Sequence, residues 1–262
     1  MTTRLKLLVV AYVFIGLLAL LGAAEERSAL GASLIVVLGI FVGVFVLVEL
    51  LRSRSRGRVM ASEARRLGLA YAPKDAFGLL DMPFALIRRS RLTFREVDNV
   101  LWGRWRDLEV RVFDYAYQES EDEWRRFTCA MAIVGGWPAL VIEPENLATS
   151  VAHLLGLHDI EFESERFNRA FEIRCEDRRF AYTFVDARLM EWLLGLSPRW
   201  GFELSGGWIL GYREQPKPEE VESVLATLSS FLERIPSVVS SLYPPRSSPI
   251  PNRPDARPGS LA

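Results

Sequence analysis

Apolar residues fill two runs near the N-terminus, Leu7–Ala24 and Ala29–Leu51, and no later stretch stays apolar for so long. Each run is about long enough to cross a hydrocarbon core of roughly 30 Å as a helix. Only Glu25-Glu26-Arg27-Ser28 separates them, so the pattern predicts a tight helical hairpin. From Arg52 to about Leu67 the spacing stays helical and stops at Gly68. Thereafter the period shortens. Val100–Trp105, Leu108–Tyr117, Arg126–Val134 and Ala139–Glu143 are rich in branched and aromatic residues and predict strands. In the second of these, Val110, Val112, Asp114 and Ala116 share one face, and Arg111, Phe113, Tyr115 and Tyr117 share the other.

The pattern continues with a short helix opened by Asn146 and ended by Gly156, carrying Leu147, Val151, Leu154 and Leu155 on one face. A second set of strands is predicted at Ile160–Ser164, Ala170–Cys175 and Phe180–Val185. Asp186 caps a predicted helix over Ala187–Leu194, and Phe202–Leu204 with Trp208–Tyr212 make a hairpin around Gly206-Gly207. Val221, Val224, Leu225, Leu228, Leu232 and Ile235 recur at helical spacing from about Pro218 until Pro236 interrupts. Leu69-Ala70-Tyr71 reads as a short strand before the breaker Pro73, and Phe84-Ala85-Leu86-Ile87 as a buried piece of an otherwise ambiguous stretch. Gly-Gly-Trp occurs at Gly135–Trp137 and Gly206–Trp208, and each copy is expected to turn the chain between two strands.

Four segments result: a transmembrane hairpin over 1–51, a basic juxtamembrane helix over 52–68, a cytoplasmic domain over 69–243, and a proline-rich disordered tail over 244–262. The fold class is α+β, mainly antiparallel sheet with packed helices; a small barrel closed by the last helix, as in pleckstrin-homology-like folds, is one version of it.

Charge sets the orientation. Arg4 and Lys6 precede the first apolar run, while Arg52, Arg54, Arg56 and Arg58 follow the second. Basic residues at both outer ends keep both termini in the cytoplasm. A cleaved secretory signal is the competing reading of the first run, but the second run would still stop transfer and leave the domain inside. With Arg65 and Arg66 the arginines form a collar suited to anionic lipid. Gly39 and Gly43, spaced as GxxxG, form a small-residue face for the other helix of the hairpin or for a second copy of the chain.

The chain is 50% hydrophobic and 25% charged with a formal net charge of -1, so charge balance names no partner and gives no nucleic-acid signature. Arginine far outnumbers lysine, found only at Lys6, Lys74 and Lys217, which fits a GC-rich bacterial genome, so the membrane crossed by the hairpin is expected to be a bacterial plasma membrane. Cys129 and Cys175 lack metal or redox spacing and read as buried small hydrophobes. His153 and His158, near Asp159, Glu161 and Glu163, do not share a helix face, so no metal or cofactor is expected. There is no HExxH, GxSxG, phosphate loop or GxGxxG. Trp105, Trp124 and Trp137 lie near predicted loops, where they could meet a ligand or the membrane surface.

Asn99-Val100-Leu101-Trp102-Gly103, Val112-Phe113-Asp114-Tyr115, Asp159–Ser164, Phe167–Phe171, Phe180-Ala181-Tyr182 and Asp186–Glu191 together resemble an actinobacterial-type family of membrane proteins. Its members carry a cytoplasmic domain of unknown function behind two membrane helices. The resemblance implies that architecture and no catalytic residues. The sequence therefore reads as a membrane-anchored, non-enzymatic binding or scaffolding module with membrane lipid and a protein partner. A membrane-anchored enzyme with a dispersed site and a sensor of anionic lipid, using the collar and Arg88, Arg89, Arg91 and Arg95, are the rivals.

Overall fold

The computed structural model describes residues 39, 43–44, 55–88, 94–119, 123–145 and 157–244. The chain divides into two units, Met1–Val59 and Met60–Ala262. In the first, Gly39, Gly43, Val44 and residues 55–59 are helical. The first apolar run, most of the second, Arg52, Arg54, the Asn146 helix and the proline-rich tail beyond Pro244 lie outside the described residues. Among the described residues no helix is long and apolar enough to cross a membrane.

Among its described residues the second unit is built on one antiparallel sheet of nine strands in the order β1-β2-β3-β4-β9-β8-β5-β7-β6. The strands are β1 (Ala70–Lys74), β2 (Arg95–Trp105), β3 (Leu108–Gln118), β4 (Trp124–Ile133), β5 (Leu140–Pro144), β6 (His158–Asp159), β7 (Phe171–Cys175), β8 (Gly201–Ser205) and β9 (Trp208–Glu214). Helices follow as α1 (residues 60–66), α2 (Ala85–Arg88), α3 (Glu165–Asn168), α4 (Arg178–Phe184), α5 (Ala187–Gly195), α6 (Val221–Leu232) and α7 (Ser237–Leu242). The fold is α+β, as the strand and helix spacings require. The sheet is open, with β1 and β6 at its two edges, which corrects the closed pleckstrin-homology-like barrel. Among the described residues β1 pairs with β2 and β6 with β7, and no pairing joins the two edges to close the sheet.

Both faces of the sheet are apolar, because the alternation in β3 and β4 puts a hydrophobic set on each side. Val110, Val112, Ala130, Ala132, Ile209 and Phe202 belong to the larger core, with Met60 and Ala64 of α1, Phe180 and Phe184 of α4, Leu189 and Leu193 of α5, and Val221, Leu228 and Phe231 of α6. Phe113, Tyr115, Phe127, Cys129, Met131, Leu210 and Tyr212 face the second core, covered by Leu79, Met82, Phe84, Leu86 and Ile87. Two faces buried at once explain why β3 is inaccessible at eight consecutive residues. In β2 the register slips between Asp98 and Leu101, and Asn99 takes a left-handed φ of 54°. That bulge lets Val97 and Val100, three apart, enter the same core.

Four local expectations are corrected. Phe180–Val185 is helix, not strand: Oδ1 of Asp177 accepts from the amides of Arg179 and Phe180 at 2.8 and 3.2 Å, and Phe180, Ala181 and Phe184 then share a buried face. Ile160–Ser164 is a loop, because Asn168 takes the place of a neighbouring strand. Its Oδ1 accepts from the Phe162 amide at 3.0 Å and its Nδ2 donates to the Phe162 carbonyl at 2.7 Å. Pro73 does not break β1, since an edge strand needs no amide on its outer side. Gly135-Gly136 joins no hairpin, for β9 and β8 lie between β4 and β5. The amides of Val134 and Gly135 instead donate to the carbonyl of Gly207 in the true hairpin.

Gly201 shows how close the second core is packed. Tyr212, directly opposite it, lies across β8, and its hydroxyl donates to Oε1 of Glu143 on β5 at 3.0 Å. A Cβ on residue 201 would overlap the Tyr212 ring. Gly201→Ala is therefore expected to cost about 1–3 kcal/mol by overpacking, read as a lower denaturation midpoint; an unchanged midpoint would count against this packing.

Candidate binding site

The residues singled out by sequence lie apart. Gly39 and Gly43 are helical in the first unit. Arg56, Arg58, Arg65 and Arg66 are helical, and Arg66 donates to Glu63 and also meets Glu222 of α6 at 2.9 Å. His158 and Asp159 sit exposed on the edge strand β6, Glu161 and Glu163 are exposed beyond it, and His153 is outside the described residues. Among the described residues no three His, Cys, Asp or Glu side chains converge for a metal. Trp105 is buried, with the Arg106 guanidinium 4.3 Å from its ring centroid. Trp137 donates from Nε1 to the carbonyl of Tyr243 at 3.0 Å, a tie between the β4–β5 connection and the end of α7.

The buried polar groups serve the fold. Glu203, on β8, is 2% exposed and reaches through the second core to the start of α2. Its carboxylate accepts from the amides of Ala85 and Leu86, at 2.5 and 2.9 Å, and so satisfies two donors at a helix end. Asp114 accepts from Thr128 Oγ1 at 2.8 Å and from Asn99 Nδ2 at 2.9 Å, while the Tyr71 hydroxyl donates to Asn99 Oδ1 at 2.9 Å. This row fastens β1 to β4 and fixes the bulged Asn99. Burial, then Asp114 and Asp98, push the Tyr71 phenol up, so it remains the donor. Arg174, on β7, pairs with Glu172 and with Asp159, the latter at 3.3 Å. Apart from the Arg174–Glu172 pair, which lies within β7, each of these contacts joins strand to strand or strand to helix.

Arg111 differs. It lies on the aromatic face of β3 and is 5% exposed. Its guanidinium carbon stands 4.1 Å from the Phe77 ring centroid and 4.6 Å from that of Trp208. Both distances are those of cation–π contacts. Phe77 in turn meets Trp102 edge-on at 5.3 Å. The loop is set by Asp75, whose Oδ1 accepts from the Phe77 amide at 2.9 Å. Among the described residues no carboxylate lies within ion-pair distance of Arg111 and no acceptor takes a hydrogen bond from its guanidinium. Burial lowers its proton affinity, and the more distant Glu109 and Asp75 partly restore it. A guanidinium remains charged under any such shift near neutral pH. Rings attract the cation but leave its forked N–H edge without a protein acceptor among the described residues. The strand alternation groups Arg111 with Phe113, Tyr115 and Tyr117; a lone cation on an aromatic face is the available signal, and the role of Phe77 has none.

Cys129 and Cys175 are both buried free thiols, as their isolation in strands suggests. Burial holds Cys129 well above the ordinary thiol range and raises Cys175 to about 11. Both should resist aromatic disulfide reagents at pH 8 in the native protein and react on unfolding; rapid native labelling would contradict their burial. The folded chain keeps the Cys175 proton where the unfolded chain releases it. Its contribution to stability is thus complete below the ordinary thiol value of 9.0 and declines as pH rises toward about 11.

No family model matches the sequence, and no curated relative matches it either. Among solved structures the chain is similar to the mycobacterial trehalose monomycolate transport factor A, TtfA. The identity is 15% and the TM-score 0.50, over 74% of this chain and 98% of that one. A likeness at that identity is one of fold. It gives the domain a structural neighbour of actinobacterial origin.

Proposed function

We propose that this chain is a non-enzymatic accessory module, anchored by its two apolar runs in a bacterial plasma membrane, that binds a ligand or partner on the cytoplasmic side. The observation that carries the reading is the contrast within the domain. Its buried carboxylates are engaged in holding strands and α2 in place, whereas the buried cation Arg111 has no acceptor among the described residues. Such a domain is made to hold something rather than to move protons. The apolar hairpin and flanking arginines support the anchor, and the spacing of Gly39 and Gly43 offers a small-residue face to the other helix of the hairpin or to a second copy of the chain. The neighbour's name, a transport factor, supports an accessory role, and the sequence resemblance to two-helix membrane proteins supports the same architecture.

The test is capture of the full-length protein from its native membrane after mild cross-linking, beside a control of residues 1–58. A specific partner held only by the full-length chain is the expected result. Equal capture by both would assign binding to the anchor and overturn a role for the domain.

A further inference from the structure

We propose that Arg111 receives the carboxylate end of an apolar ligand, an anionic amphiphile of the fatty-acid kind. The inference rests on the binding reading above and gives it a ligand class. Three observations carry it. Arg111 is a charged side chain more than nine-tenths buried, yet its hydrogen-bonding edge has no acceptor among the described residues. Unlike Arg213 Nε, the guanidinium nitrogens of Arg111 are not sealed from solvent, so an incoming anion can reach them. A guanidinium fork matches a carboxylate with two parallel hydrogen bonds, an arrangement a ring face cannot supply. The surroundings are apolar as well: Phe77, Leu80 and Trp102 are half-buried and pack on the second core beside this point. A ligand whose anionic group meets Arg111 lies against these surfaces, so its body is apolar.

The local field limits the charge. Glu109 and Asp75 lie close enough to act on Arg111 without pairing with it. They oppose a doubly charged phosphate monoester more strongly than a single carboxylate. The rival account of the same geometry is purely structural: Arg111 would staple the Asp75–Met82 segment to the sheet through its rings.

The experiment uses the full-length protein in phosphatidylcholine nanodiscs with a hexadecanoic acid probe carrying a diazirine near its carboxylate. Label is mapped by mass spectrometry. The acid is expected to mark the stretch around Phe77 or Trp102 saturably, whereas the matching long-chain alcohol is not. Arg111→Met, which keeps the apolar stem, should lose at least about tenfold in labelling, and Arg111→Lys should retain part of it. If Arg111→Met lowers the melting temperature, the lysine variant and the alcohol decide the matter. Equal labelling of Arg111→Met, equal labelling by the alcohol, labelling only by a phosphatidylglycerol version of the probe, or displacement by an acidic peptide would each overturn the proposal. The recovered probe separates this inference from the reading beneath it. Unlabelled protein refutes the ligand alone and leaves the partner capture standing, while chemically altered probe refutes the non-enzymatic reading.

Discussion

Glu203→Ala should destabilise the domain by about 2–6 kcal/mol, since each of two backbone amides left buried without an acceptor costs roughly 1–3 kcal/mol. They are those of Ala85 and Leu86, and both are hidden from water in the second core. The loss should be local as well as global. Hydrogen exchange at Ala85 and Leu86 should rise by more than the change in midpoint alone predicts, because the segment from Leu79 to Arg88 is held at its end by this contact. Glu203→Gln, which keeps one acceptor oxygen, should lose less than Glu203→Ala. An equal loss in both variants would show that the charge and not the acceptor geometry matters. Unchanged exchange at the two amides would refute the cap itself.

Phe231→Ala should cost about 3–5 kcal/mol, the usual range for emptying a buried phenylalanine site. Phe231 is fully buried on α6, and its ring stacks on Phe202 of β8 with centroids 4.0 Å apart at 16°. Phe184 and Trp192 approach the same ring at 6.0 and 6.1 Å. Helices and a strand thus share one aromatic contact, and the cavity cannot collapse without moving all of them. Val238→Ala, at a residue 45% exposed on α7, should change the midpoint by less than about 0.5 kcal/mol and serves as the control. Denaturation followed by tryptophan fluorescence measures both; comparable shifts would place Phe231 outside the load of the larger core.

The elements most legible in the sequence are those whose period and caps agree. β3 can be read residue by residue, including its two faces, since alternation there is uninterrupted from Val110 to Tyr117. α5 is legible because Asp186 caps it, and its Oδ1 accepts from the Leu189 amide at 2.8 Å. The misread stretches share a cause. Phe180–Val185 has strand-like composition, and only the cap at Asp177 and the spacing of its buried residues make it a helix. Ile160–Ser164 has strand-like alternation, but the side chain of Asn168 meets the backbone of Phe162 as a neighbouring strand would. Strand order is not legible at all, because pairing partners are chosen across long separations that no local period records. The surroundings of Arg111 are half legible. Its cation and strand face are visible, but Phe77 and Trp208 come from elements distant in sequence and meet only in the folded sheet.

The place of β9 in the sheet carries a consequence for synthesis. Phe127–Ile133 pair with Trp208–Glu214, the last strand of the sheet to be made. A ribosome adding about 5–20 residues per second leaves the outer edge of β4 without its neighbour for an interval on the order of seconds. During that interval β1 to β4 can form a meander, but its open side offers a row of unpaired amides and carbonyls beside apolar side chains. The growing chain is then most vulnerable at what becomes the middle of the finished sheet, and any nascent chain released before Trp208 keeps that vulnerability permanently.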